Sequence, residues 1–367
     1  MSARGGRLAH VDNLKTAMVA WIIAGHALLG YSATGGWAYD EVNEVEFAPG
    51  VELALAAVIG PSGLYVIGVF FFLAGLFAPD AVARVGPRRY ARDRLVRLGV
   101  PWAVSALLLW PLAVWVAYRA AGWDATPWGL VAHREPLLDS GALWFALVLL
   151  IYSLGYAAWV AVRRREPVNR PIGFGRLAGL ALVVAAATFA VRLVFPARSA
   201  QPGDLHLWQW PQCVAMFAFG VAAARRGWAA RTPDRVHRGC AAVAVAALVV
   251  TPVVGLLSGV RELSGDSGPY LGGWTPQALL LAAVESVLVV AGSVWLLGLA
   301  QRRMTRDGPA ATGLARAAFP AFVAQGPVLV LLATALRPAP WPRRKAPLVA
   351  VLGLVVCFAV GALVSRR

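Results

Sequence analysis

The chain has 367 residues, is 59% hydrophobic and 14% charged, and has a mean hydropathy of +0.65, which excludes an ordinary soluble globular protein. Its formal net charge of +16 raises nucleic acid as a partner, but the basic residues follow membrane sidedness instead of forming one patch, and that argues against it. Three cysteines, Cys213, Cys240 and Cys357, have no paired spacing, so they read as small apolar packing and not as disulfides or metal ligands.

Apolar runs recur along the chain near 14–31, 61–78, 98–118, 142–162, 177–195, 207–224, 241–260, 274–300, 314–336 and 347–364. Each is roughly 18–27 residues long, enough for a helix to cross a hydrocarbon core. A short extra helix is expected over 51–59, leading into the second span. The runs continue to the last residues, so the chain reads as one membrane domain over 1–367: an all-α, polytopic bundle of about ten membrane helices. The basic residues orient it. With the N-terminus inside, 25 of the 34 Lys and Arg fall in cytoplasmic segments, a strong positive-inside bias that places both termini in the cytoplasm. Arg337, Arg343, Arg344 and Lys345 form the one cluster against it.

The first outer loop holds Asp40, Glu41, Glu44, Glu46 and Glu52 with no basic residue. These read as solvated loop charge, with contact to a polar acceptor as the alternative. Tryptophans near span ends, among them Trp110, Trp128, Trp144, Trp208, Trp274 and Trp341, fit interfacial anchoring. The first span also has the basic start, apolar run and small residues of a secretory signal, but Asp12, Lys15 and His26 inside it favour a retained span.

Lys15 and His26 are the most informative pair. Eleven residues apart, they share one face of a helix, about 16 Å from each other along its axis. Asp12 lies on the same stripe. A cation near one end of a membrane helix with an imidazole deeper inside suggests an anion held at one surface and proton chemistry further in. Of five histidines, only His26 lies well within a span; hydrogen bonding to a neighbouring helix is the plainer reading of such a residue. Glu285, near the middle of the eighth span, costs about 2.5–3.5 kcal/mol unless paired or protonated. His26, Lys15 and Arg192 are its candidate partners.

Asp12-Asn13-Leu14-Lys15, followed by His26-Ala27, resembles the opening of the acyltransferase-3 family of integral-membrane O-acyltransferases, whose first helix carries an arginine, ten intervening residues and a histidine. The spacing is kept, with lysine for arginine. In order along the chain, Phe70-Phe71-Phe72-Leu73-Ala74-Gly75 resembles the family's Phe-Phe-x-Leu-Ser-Gly segment, and Arg94-Leu95-Val96-Arg97-Leu98-Gly99-Val100-Pro101 its Arg-x-x-Arg-Leu stretch before a proline. Leu143-Trp144-Phe145 resembles its Leu-Trp-Phe helix entry. The run 319–328 resembles a helix that often reads Tyr-x-x-His-x-Pro, but Phe322 and Gln325 replace the tyrosine and histidine, so no role of that histidine carries over.

The resemblance covers essentially the whole chain. It implies transfer of an acyl group, acetyl by preference, from cytoplasmic acyl-CoA to a hydroxyl of a glycan or glycosylated small molecule, with the lipid bilayer as the other partner and no metal. His26 is then the general base. Glu285 is a second candidate catalytic group through orientation of His26, with structural pairing as its alternative. Lys15, Arg94 and Arg97 would meet at a cytoplasmic mouth and hold the phosphates of coenzyme A, lysine as a point charge and arginine as a fork; for Arg94 and Arg97, topogenic charge and headgroup contact stay open. Ala74 and Gly75 admit either a neighbouring helix or the pantetheine arm. With no serine or cysteine placed to carry the acyl group, direct transfer in a ternary complex is the simpler expectation. The competing class is a proton-coupled transporter or flippase running over Lys15, His26, Arg192 and Glu285, and a non-catalytic scaffold is a third.

Overall fold

A computed structural model describes residues 8–31, 48–162, 172–228, 232–257 and 268–366. The described residues contain helices and no strand. Ten long helices are numbered here in chain order: α1 Ala9–Leu29, α2 Pro49–Val85, α3 Pro87–Ala120, α4 Trp144–Val162, α5 Phe174–Arg192, α6 Trp210–Arg225, α7 Asp234–Leu257, α8 Pro276–Arg303, α9 Pro309–Ala335 and α10 Pro342–Val364. Eight of them contain stretches long and apolar enough to cross a membrane, which makes this a multi-pass membrane protein. The two others correspond to the first and sixth expected spans. α1 is 21 residues long but carries Asp12, Asn13, Lys15 and His26, and α6 has only 16 residues behind a 3-10 turn at Leu207–Gln209. The expected extra helix over 51–59 is not separate: α2 runs unbroken for 37 residues. Asp40, Glu41, Glu44 and Glu46 lie outside the described residues, as does the side chain of Glu52.

Proline at the first position starts α2, α3, α8, α9 and α10, where its missing N–H costs nothing and its fixed φ suits a helix. Between α2 and α3 the chain turns on Gly86, at φ +79°, a conformation that disfavours any side chain. Within α3, π turns occupy Leu95–Gly99 and Ser105–Leu109. Each ends two residues before a proline, Pro101 and Pro111. A proline ring has no N–H for the carbonyl four residues back and collides with it, so the preceding turn widens.

α1 lies inside the bundle, against α2, α8, α9 and α10. The closest helix pairs are α9 with α10 and α2 with α6. Glycines set the second of these. A Cβ on Gly75 would run into the Phe217 carbonyl, and one on Gly220 into the Phe72 carbonyl, so α2 and α6 meet backbone to backbone. The Phe-Phe-Phe-Leu-Ala-Gly segment is therefore a helix-packing element at Gly75. Gly361 plays the same part for α10 against Ala317 of α9. All three cysteines are free and buried. Trp128, Trp274 and Trp341 are exposed, as anchoring requires, whereas Trp110 and Trp144 are buried. The Trp110 indole donates to Asp139 at 2.7 Å, and Trp144 stacks on His206 with ring centres 4.1 Å apart.

Candidate active site

α1 remains helical through its polar positions because one side of the helix is packed and Asn13 and His26 find tertiary partners. Val11, Leu14, Met18, Ile22 and Ile23 are buried, while Trp21 faces outward at 45% exposure. Asn13 donates from Nδ2 to the Met304 and Arg306 carbonyls, both at 2.8 Å, and so ties the start of α1 to the end of α8. Three turns along, the half-buried His26 meets Gln325 of α9, with Nδ1 3.1 Å from Oε1. Because an amide oxygen accepts, this contact is a hydrogen bond in the tautomer that carries its hydrogen on Nδ1. Gln325 is fully buried, and its Nε2 has no partner among the described residues. One turn earlier on α9, Phe322 packs edge-on against Phe145 at 5.0 Å, with Phe70 6.4 Å away, which gives the pair an apolar flank.

At the other end of the stripe, Lys15 Nζ lies 4.1 Å from the centre of the Phe77 ring, close enough to Arg94 and Asp12 for both charges to act on it. Arg94 in turn lies 4.9 Å over Tyr90. Lys15 and Arg94 are therefore within electrostatic reach of each other. Arg97 is exposed, between exposed Val96 and Val100. It lies within the π turn at Leu95–Gly99.

Glu285 has the polar partner its position demands. Its Oε2 accepts from Arg192 Nη2 at 2.6 Å and from Gln212 Nε2 at 2.7 Å, joining α8, α5 and α6. Arg192 is 1% exposed and Glu285 3%, and the Trp208 ring lies 5.3 Å from the guanidinium. Of the three candidate partners, the structure selects Arg192. The His26 ring contacts Gln325, while Glu285 is held by Arg192 and Gln212. Sequence reasoning set Gln325 aside as a break in a motif, and an uncharged amide gave no electrostatic signal to recover it. Gln212 went unnoticed for the same reason.

Residues 8–366 match the family described as an acyltransferase domain, of the acyltransferase-3 type. No significant match was found among curated proteins or among solved structures.

Proposed function

The chain belongs to the acyltransferase-3 family of membrane O-acyltransferases, and from that premise we propose that it moves an acetyl or similar short acyl group from acyl-CoA to a hydroxyl of a glycan or glycosylated small molecule. The observation that carries the site assignment is the His26–Gln325 contact on the same helix face as Lys15. With Nδ1–H donated to Gln325, Nε2 is the basic nitrogen. It takes the proton of the acceptor hydroxyl as the oxygen attacks the thioester carbonyl, the carbon–sulphur bond breaks, and the imidazolium returns the proton to the departing thiolate. The products are the O-acyl ester and coenzyme A with a free thiol. General-base assistance of this kind contributes about 10²- to 10⁴-fold in rate.

Lys15 and Arg94 fit the donor phosphates, one as a compact charge and the other as a planar fork. Their end of the bundle is then cytoplasmic, with both termini on that side, and Arg97 contributes to headgroup contact and topology. Lysine in place of the family's arginine at position 15 keeps the charge and gives up bidentate geometry, so donor affinity is where this chain would differ from its relatives. Glu285 we assign to holding α5, α6 and α8 together through Arg192 and Gln212, with no proton of its own in the reaction. The family match sets aside the transporter reading.

The test is release of free thiol from acetyl-CoA by purified protein offered a panel of glycan acceptors. Acceptor-dependent release that falls at least a hundredfold in His26→Ala, at unchanged expression, is the expected result. Release that is independent of His26 would overturn the assignment.

A further inference from the structure

Between α4 and α6 lies a groove of about 650 Å³ that the acyl-transfer site does not use. Its walls are Tyr152, Gly155 and Tyr156 of α4 against Val214, Phe217 and Ala218 of α6, and it continues to Arg225 and Arg226. Gly155, Val214 and Ala218 are exposed, so the groove opens sideways, away from the bundle and towards hydrocarbon. At one end Tyr152 closes it, packing on Trp210 at 5.6 Å and Phe71 at 5.6 Å. The other end is cationic. Arg225 lies 5.6 Å from the Trp159 ring and Arg226 5.1 Å from the Trp228 ring, and Arg226 makes no ion pair among the described residues. From Val214 to Arg225 is eleven residues of helix, about 16 Å, which is close to half of a roughly 30 Å hydrocarbon core.

An apolar trough one leaflet deep, with two guanidiniums and an indole at its headgroup end, has the length and the charge of one molecule. We propose that it is a binding site for a single phospholipid of the adjoining leaflet with an anionic headgroup, its chain lying along Phe217 and Tyr156 and its phosphate meeting Arg225 and Arg226. Arginine suits this role because its fork matches phosphate and its plane stacks on tryptophan. Gly155 gives the groove its depth: a Cβ built there meets nothing within 4 Å, so the space beside it is left for the chain.

Native mass spectrometry and thermal unfolding in detergent, with phosphatidic acid, phosphatidylcholine or inorganic phosphate added, test this. The wild type should retain one anionic phospholipid per chain and gain thermal stability from phosphatidic acid, far less from phosphatidylcholine and none from phosphate alone. Arg225→Gln with Arg226→Gln should weaken phosphatidic acid binding about 25-fold, each arginine contributing about fivefold towards an anionic headgroup. Gly155→Phe should abolish retention by filling the trough. Ala218→Phe does the same from the opposite wall, should the first variant fail to fold. Retention unchanged in a folded groove-filling variant, equal binding of anionic and neutral lipid, or a dimer whose partner occupies the groove would each overturn the site. So would equal stabilisation by inorganic phosphate, which needs no groove.

Discussion

Two polar pairs sit inside this bundle, and they are built differently. Arg192 and Glu285 are sealed, at 1% and 3% exposure, and Gln212 adds a second hydrogen bond to the same carboxylate oxygen. His26 and Gln325 form an imidazole–amide pair in which the amide is sealed and the imidazole is half-buried. A charged pair pulled from water is tolerated only when its charges lie close together, so it locks the helices that supply it, although Arg192 bonds Glu285 through Nη2 alone and its Nε and Nη1 have no hydrogen-bond partner among the described residues. In the proposed function the His26 ring is held through one nitrogen and does its chemistry with the other. On that reading reactivity and rigidity fall to separate places, although a sequence shows both only as polar residues in apolar runs.

The largest effect expected from disturbing this division is on stability. Glu285→Leu leaves Arg192 buried without its counter-charge and should cost about 3–5 kcal/mol, read as a loss of folded protein in detergent melts. Adding Arg192→Met should recover most of that loss, since a well-packed apolar pair in place of a buried ion pair is often neutral. Next in size is helix packing. Gly220→Ala pushes a methyl into the Phe72 carbonyl and should destabilise by about 1–3 kcal/mol, with Gly75→Ala similar and the double variant less than additive because one contact is shared.

Smaller still, Gln325→Leu removes the acceptor that fixes the His26 ring, and turnover should drop about tenfold with apparent donor affinity unchanged, the pattern of a group that acts through the base. The smallest effect is at the basic end. Lys15→Ala should raise the apparent KM for acetyl-CoA severalfold and leave kcat near normal, while Lys15→Arg should be tolerated. A kcat effect without a KM effect would move the donor phosphates elsewhere.

How much of this was legible in the sequence follows from what each feature depends on. Lys15 and His26 stood out because charge and imidazole are conspicuous among apolar neighbours and because helix periodicity alone aligns them. That Glu285 needs a partner was equally legible, from the cost of a bare carboxylate. Its choice of Arg192, 93 residues away, was not, because three candidates met the electrostatic demand and helix packing decides among them. Gln325 depended on a contact 299 residues distant and carried no charge to announce itself. Arg97 lies in the π turn at Leu95–Gly99, whose winding departs from the regular helix that sequence periodicity assumes. The separate extra helix expected at 51–59 was not found, since α2 runs through that segment and on into the second span.

The division between the two pairs is tested most directly by thiol release from acetyl-CoA, measured per folded molecule, in His26→Ala and in the Arg192→Met, Glu285→Leu double variant side by side. The account predicts that His26→Ala retains less than about a hundredth of the rate at an unchanged melting temperature, whereas the double variant keeps most of the rate once folded. A double variant that is folded and inactive, or a His26→Ala protein that still turns over, would contradict it.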